Sequence, residues 1–174
     1  MKCVILGDRG TGKTSLRLSV TSNDLQQEYI PCESSIDVKI QNTVYQFTMF
    51  DSMFGSFEHV RSIKYINTDV FIVCYAMDSQ CSLQSVTTRW FPEIQLYQPN
   101  VPFILVGTKY DLIETSQQNV TFRDTERIAK QIGAFSHVQC SSLNGFNVKL
   151  AVHTAVQAAL DSNEAKHQQG SCKK

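Results

Sequence analysis

The segment Gly7-Asp8-Arg9-Gly10-Thr11-Gly12-Lys13-Thr14 constrains this chain more than any other. It lies between the apolar run Cys3-Val4-Ile5-Leu6 and Ser15-Leu16-Arg17-Leu18, so it reads as the turn from a buried strand into a helix. That is the context a G-x-x-x-x-G-K-[ST] phosphate loop requires. Its glycines let successive backbone N–H groups wrap a phosphate, helped by the positive end of the following helix. Lys13 adds a full charge for the β and γ phosphate oxygens, and the Thr14 hydroxyl suits Mg²⁺, a hard cation that takes oxygen ligands. Asp8, Arg9, Gly10, Thr11, Gly12, Lys13, Thr14 and Ser15 are therefore candidate nucleotide contacts. An ordinary glycine-rich strand-to-helix turn shares the pattern, so the rest of the chain must decide between them.

The 174 residues suit one domain with a sizeable core, and the 42% hydrophobic content is ordinary. Sixteen basic and sixteen acidic side chains cancel, which argues against a broad footprint for nucleic acid or an anionic membrane. Met1-Lys2 runs directly into the first strand and no apolar run approaches membrane-spanning length, so the expectation is a cytoplasmic protein. Six scattered cysteines, with no C-x-x-C pair, imply reduced thiols and no structural zinc. The four dispersed histidines suggest no metal site either.

Strand and helix signals alternate along the chain. A helix is predicted over Thr14–Val20, then a polar loop to Ser35. A hairpin follows, Ile36–Ile40 and Val44–Phe50 around Gln41-Asn42. Asp51 ends its second strand, and a short helical stretch lies near 57–65. Val70–Tyr75 and Phe103–Val106 read as buried strands, separated by a helix from Ser82 to about Tyr97. Leu83, Val86, Trp90, Ile94 and Tyr97 recur along that helix at core spacing. A helix over Arg123–Ile132, a strand over Phe135–Gln139 and a helix over about Val148–Leu160 complete the pattern. Residues 161–174 are polar and aperiodic, and a flexible tail is expected after a domain of residues 1–160. The predicted fold is α/β: a mostly parallel six-stranded sheet with one antiparallel edge hairpin and helices on both faces.

In such sheets ligands collect at the carboxyl ends of the strands, where Gly7, Asp51, Thr108 and Ser141 all fall. The carboxylate of Asp111 can accept from guanine N1–H and its exocyclic amine, a donor pair that adenine lacks. Lys109 can lay its aliphatic stem along the base. Thr108 would tie this loop to the phosphate loop, and backbone N–H groups around Ser141 and Ser142 would reach the guanine oxygen. Asp51 is placed to hold a water on Mg²⁺. Thr108-Lys109-Tyr110-Asp111 as a plain turn, and Ser141-Ser142 as a helix cap, are the alternatives.

The chain resembles the small G proteins of the Ras superfamily, and most of all their Rho/Rac branch. The tracts that carry this are Arg89-Trp90-Phe91-Pro92-Glu93-Ile94, Pro99 through Leu112, Ala129 through Phe135 and Cys140-Ser141-Ser142-Leu143. The resemblance spans about Lys2 to Leu160 and implies the P-loop small G-protein fold, GTP or GDP with Mg²⁺, and partner proteins. Effectors and regulators would bind the switch segments 23–36 and 52–65, whose aromatic residues Tyr29, Phe54, Phe57 and Tyr65 are candidate anchors. The helical insert of Rho proteins has no room between Leu112 and Arg123. Cys172-Lys173-Lys174 falls one residue short of a prenylation box, so no strong membrane anchor is expected in the chain as given, though a truncated or modified C-terminus would allow a peripheral membrane location.

Departures from the family pattern fall where nucleotide state is read. Arg9 replaces a usual glycine beside the γ-phosphate, and no confident catalytic residue can be assigned. The Thr that closes on Mg²⁺ becomes Cys32, a poor ligand for a hard cation, unless Ser34 or Ser35 shifts into its place. The Asp-x-x-Gly-Gln motif becomes Asp51-Ser52-Met53-Phe54-Gly55, with Gly55 at the water-orienting position. Leu25 aligns with an aromatic residue that packs on the base. The expectation is an atypical Rho-like protein that binds guanine nucleotide and hydrolyses it poorly. The alternatives are a GTPase using Arg9 as an internal arginine with His59 or a serine orienting water, a P-loop ATPase or kinase, and a nucleotide-free scaffold.

Overall fold

Successive residues of a strand face opposite sides of its sheet, so a strand that is apolar at every position belongs in the middle of a sheet covered on both faces. In the computed structural model, which describes residues 1–21, 32–52, 61–113 and 120–171, β1 (Lys2–Gly7) is such a strand. Cys3 and Ile5 enter one core, and Val4 and Leu6 enter the other. The remaining strands are β2 (Glu33–Ile40), β3 (Thr43–Asp51), β4 (Val70–Ala76), β5 (Phe103–Thr108) and β6 (His137–Gln139). The sheet order is β2-β3-β1-β4-β5-β6. Only β2 and β3 pair antiparallel, with Ile40 opposite Thr43; the other pairings are parallel.

The face carrying Cys3 and Ile5 is covered by α1 (Lys13–Thr21) and by the C-terminal helix α5 (Val148–Ser171). Ala151, Ala155, Ala158 and Ala159 let α5 lie close to the strands. The opposite face is covered by α2 (Gln80–Ser85), a π-helical turn (Val86–Trp90), α3 (Phe91–Tyr97) and α4 (Phe122–Ile132). Ser79 caps α2 by accepting from the Ser82 N–H, and Thr121 caps α4 by accepting from the Asp124 N–H. Gly133, at φ 68°, ends α4 in the left-handed conformation. The six-stranded α/β architecture is the one expected from the sequence.

Two elements depart from the sequence expectation. The helix predicted over Ser82–Tyr97 carries a π turn, in which Phe91 N–H donates to the Val86 carbonyl five residues back. Pro92 follows at once; it has no N–H to continue an α ladder, and the register slips there. The last helix runs to Ser171 rather than ending near Leu160. Asn163-Glu164-Ala165-Lys166 contains good helix formers and no proline, so propensity carries a helix onward where apolar periodicity has stopped.

A buried polar group joins the segment 61–65 to the helical layer. Arg61, 5% exposed, donates to Glu93 through Nε at 2.8 Å and Nη2 at 2.5 Å, and Tyr65 Oη donates to the same carboxylate. Hydrogen bonding to Glu93 raises the Arg61 pKa, and burial together with Glu93 raises that of Tyr65. Tyr65 is wholly buried, with its ring edge-on to Phe71 at 5.1 Å. It is therefore a core residue and not the exposed interface anchor expected from the sequence. Among the described residues no helix is long and apolar enough to cross a membrane, and Cys3, Cys32, Cys74, Cys81 and Cys140 are free thiols.

Burial pushes the Cys3 and Cys74 thiols upward, the Cys140 thiol to about 12 and the Tyr75 phenol to about 12. In the unfolded chain these groups ionise near pH ~8.5 for thiols and ~10 for tyrosine. Above those values the unfolded chain binds fewer protons than the folded one, so stability falls as pH rises. Unfolding free energies from urea titration should stay level below about pH 8 and decline above about pH 8.5, by up to ~1.4 kcal/mol per pH unit for each group once its unfolded value is passed. A level profile to about pH 10.5 would mean that these groups ionise without unfolding the chain.

Candidate functional site

Parallel pairing brings the carboxyl ends of β1, β3, β5 and β6 to one edge of the sheet. A cleft of about 500 Å³ opens there, lined by the phosphate loop and α1 start on one side and by the segments after β5 and β6 on the other. Of the contacts expected from the sequence it takes in Gly10, Gly12, Lys13, Thr14, Ser15, Thr108, Lys109, Asp111 and Ser142. Thr11 and Ser141 are buried outside its lining, Asp8 turns toward Trp90, and Arg9 is exposed. Leu25 and Gly55 lie outside the described residues, as do Tyr29, Phe54, Phe57 and His59.

The phosphate loop needs glycine at two places for two reasons. Gly7 has φ 143°, and a Cβ there would meet the Cys74 carbonyl oxygen at 2.4 Å. Gly12 has φ 77°, and a Cβ would sit 3.2 Å from Thr108 Oγ1. Thr108 Oγ1 itself donates to the Thr11 carbonyl at 2.6 Å, with the Tyr75 carbonyl at 3.1 Å as a second acceptor. This buried hydroxyl is the bond between the β5 end and the phosphate loop that the sequence suggested. Inside the loop, Lys13 Nζ and Thr11 Oγ1 both donate to the Asp8 carbonyl, at 2.7 and 2.8 Å.

Thr14 Oγ1 donates to Asp51 Oδ2. Asp51 is 8% exposed, and its N–H donates to the Cys32 carbonyl at 2.9 Å. A hydroxyl beside a carboxylate is an oxygen donor set that suits Mg²⁺ completed by phosphate and water. The serines considered as substitutes for the missing threonine are committed elsewhere. Ser34 Oγ accepts from Arg17 Nη1, and Ser35 Oγ bonds Thr48 Oγ1 at 2.9 Å within the hairpin. Cys32 stays exposed at the β2 start.

On the opposite wall Lys109 takes left-handed backbone angles, φ 59° and ψ 37°, uncommon for a residue with a Cβ and typical of constrained functional loops. Its ammonium reaches Asp78 at 3.2 Å, which fixes the aliphatic stem along the cleft. Ser141 Oγ donates to Asp111 Oδ1 and accepts from the Leu143 N–H at 3.2 Å. The Ser141 N–H donates to the Phe146 carbonyl at 2.9 Å, and Ser142 lines the cleft. The Phe146 ring stacks on Tyr110 at 4.9 Å and steadies the loop from outside.

Sequence reasoning missed Leu112 and Leu143, which supply apolar wall, and Asp78, the partner of Lys109. It also assigned Trp90 to core packing alone. The ring is 3% exposed, but its indole N–H donates to Asp8 Oδ1 at 3.0 Å. The available signal was the residue type, since a buried indole N–H needs an acceptor.

The chain matches the Ras family over residues 2–161. That range takes in every strand and all the cleft residues named above.

Replacing the Thr108 hydroxyl isosterically tests the join between the two walls. Thr108→Val should lower stability by ~1–3 kcal/mol in urea denaturation, because it leaves a buried carbonyl without its donor. Thr108→Ser should restore most of the loss, whereas equal stability of the Val variant and the unmodified protein would count against the join.

Proposed function

From the premise that this chain belongs to the Ras family of small GTP-binding proteins, we propose that it is an atypical, Rho-like member that binds guanine nucleotide with Mg²⁺ and hydrolyses GTP poorly. The observation that carries the binding half is the single cleft in which Lys13 and Thr14 face Thr108, Lys109, Asp111 and Ser142. Lys13 would exchange the Asp8 carbonyl for phosphate oxygens, and the first-turn N–H groups of α1, which have no intrahelical partner, would add donors. Asp111 would accept from the guanine edge while Ser141 holds its other face by hydrogen bond. Thr14 would hold the cation and Asp51 a water on it, and the cation when bound neutralises phosphate charge.

The hydrolysis half rests on Arg9 and Cys32. Phosphoryl transfer to water is catalysed by positioning and charge stabilisation. Arg9 brings an exposed guanidinium to the loop position where a small residue leaves room for water and an incoming arginine. Cys32 offers a thiol where a hard oxygen ligand is wanted. The same exposure of Arg9 favours a second reading, in which it acts as an internal arginine in a competent GTPase.

The protein then works as a cytoplasmic signalling switch or scaffold, with residues 1–160 as the GTP-binding domain. Segments 23–36 and 52–65 meet effectors and regulators. In the described part of the second segment, Ile63 is 64% exposed and, just beyond it, Ile66 is 57% exposed, which suits them better than Tyr65 for contact.

Denaturing the purified protein and identifying what it releases should yield GDP or GTP; adenine nucleotide, or none, would overturn the binding half. Single-turnover GTP hydrolysis should run below about 10⁻⁴ s⁻¹ and be unmoved by a Rho-type activating protein. Arg9→Ala should leave that rate unchanged or raise it. A fall in rate on Arg9→Ala would instead establish the internal-arginine reading.

A further inference from the structure

The chain has one tryptophan, Trp90, and it closes the π turn that Pro92 forces between α2 and α3. Its ring lies within cation–π reach of two guanidinium groups, Arg89 at 4.5 Å and Arg61 at 5.1 Å, and Arg61 is clamped by Glu93, three residues further along the same helical segment. The indole is thereby held on its faces, and its N–H points to Asp8 Oδ1 at 3.0 Å.

Asp8 occupies an awkward place for a carboxylate. It belongs to the loop that surrounds phosphate, where negative charge is repelled. Its backbone carbonyl receives both Lys13 Nζ and Thr11 Oγ1, so the position of Asp8 sets the position of the loop lysine. The side chain does not line the cleft; the indole N–H holds it outside.

We propose that Trp90 is a positioning residue of the phosphate loop: its N–H holds the Asp8 carboxylate away from the cleft and so sets how tightly a diphosphate is held. The inference rests on the cleft being a nucleotide site, and it concerns only the phosphate half of that site. Trp90→Phe keeps an aromatic ring beside Arg61 and Arg89 but removes the donor together with part of a buried ring, so loss of packing shows in melting temperature and loss of the donor shows in affinity.

The experiment compares the full chain with Trp90→Phe, Asp8→Ala and the double variant. It measures binding of magnesium pyrophosphate and of GDP by calorimetry, and melting temperature without ligand. Trp90→Phe should weaken both ligands about tenfold, the loss of one hydrogen bond to a charged group, beyond any fall in ligand-free melting that the smaller ring causes. Asp8→Ala removes the carboxylate that the indole restrains, so it should bind both ligands at least as tightly as the unmodified chain, and the double variant should recover the affinity that Trp90→Phe alone loses. Unchanged affinity in a folded Trp90→Phe protein would overturn the proposal. So would a lower melting temperature with unchanged affinity, which is the mark of packing alone. If Trp90→Phe does not fold, Asp8→Ala decides: weaker pyrophosphate binding overturns the inference. Pyrophosphate binding without GDP binding by the unmodified chain would refute the guanine reading, while the pyrophosphate comparison still decides the role of Trp90. Binding of neither ligand would refute both.

Discussion

Two-sided burial of β1 is the constraint on which the rest of the molecule depends. Because Cys3 and Ile5 need one cover and Val4 and Leu6 another, helices must lie on both faces, and parallel neighbours are the economical way to reach them. Parallel pairing then sends the carboxyl ends of β1, β3, β5 and β6 to the same edge. The cleft is where the strands stop and the chain turns back toward the helices. Thr108, Lys109 and Asp111 lie within three positions of the end of β5, Ser142 lies three beyond β6, and Lys13 and Thr14 open α1, which keeps the site on rigid elements.

Buried and half-buried polar bonds hold the walls in place. Thr108 ties β5 to the phosphate loop, Ser141 ties the segment after β6 to Asp111, and Thr14 ties α1 to the end of β3. None of these pairs is close in sequence. Such bonds contribute only ~0.5–1.5 kcal/mol each when intact, but leaving one buried partner alone costs more than that gain. Their main effect is therefore geometric: they exclude arrangements in which the walls drift apart.

The fold was largely legible because its signals are local. Apolar runs at Cys3–Leu6, Val70–Tyr75 and Phe103–Val106, the Gln41-Asn42 turn and the phosphate-loop spacing each need only a few neighbouring residues to interpret. The site was legible at the same level, as strand-end residues. What escaped were facts that depend on partners remote in sequence. Nothing near Trp90 announces that its acceptor is Asp8. Nothing near Tyr65 announces that Glu93 will bury its hydroxyl. The extension of α5 was missed for the opposite reason: it follows from propensity alone, and amphipathic periodicity is blind to an exposed helix.

The bond from Lys13 to the Asp8 carbonyl has a consequence for recognition. An ammonium with an internal partner does not meet an incoming anion as an uncompensated charge; it changes allegiance. On the proposed reading, Thr14 with Asp51, and Asp111 with Ser141, would stand in the same relation to a cation and a base. Affinity at this cleft is therefore a difference between two sets of bonds, external and internal. A substitution that weakens an internal bond can tighten ligand binding while it weakens the fold, so stability and affinity here need not move together.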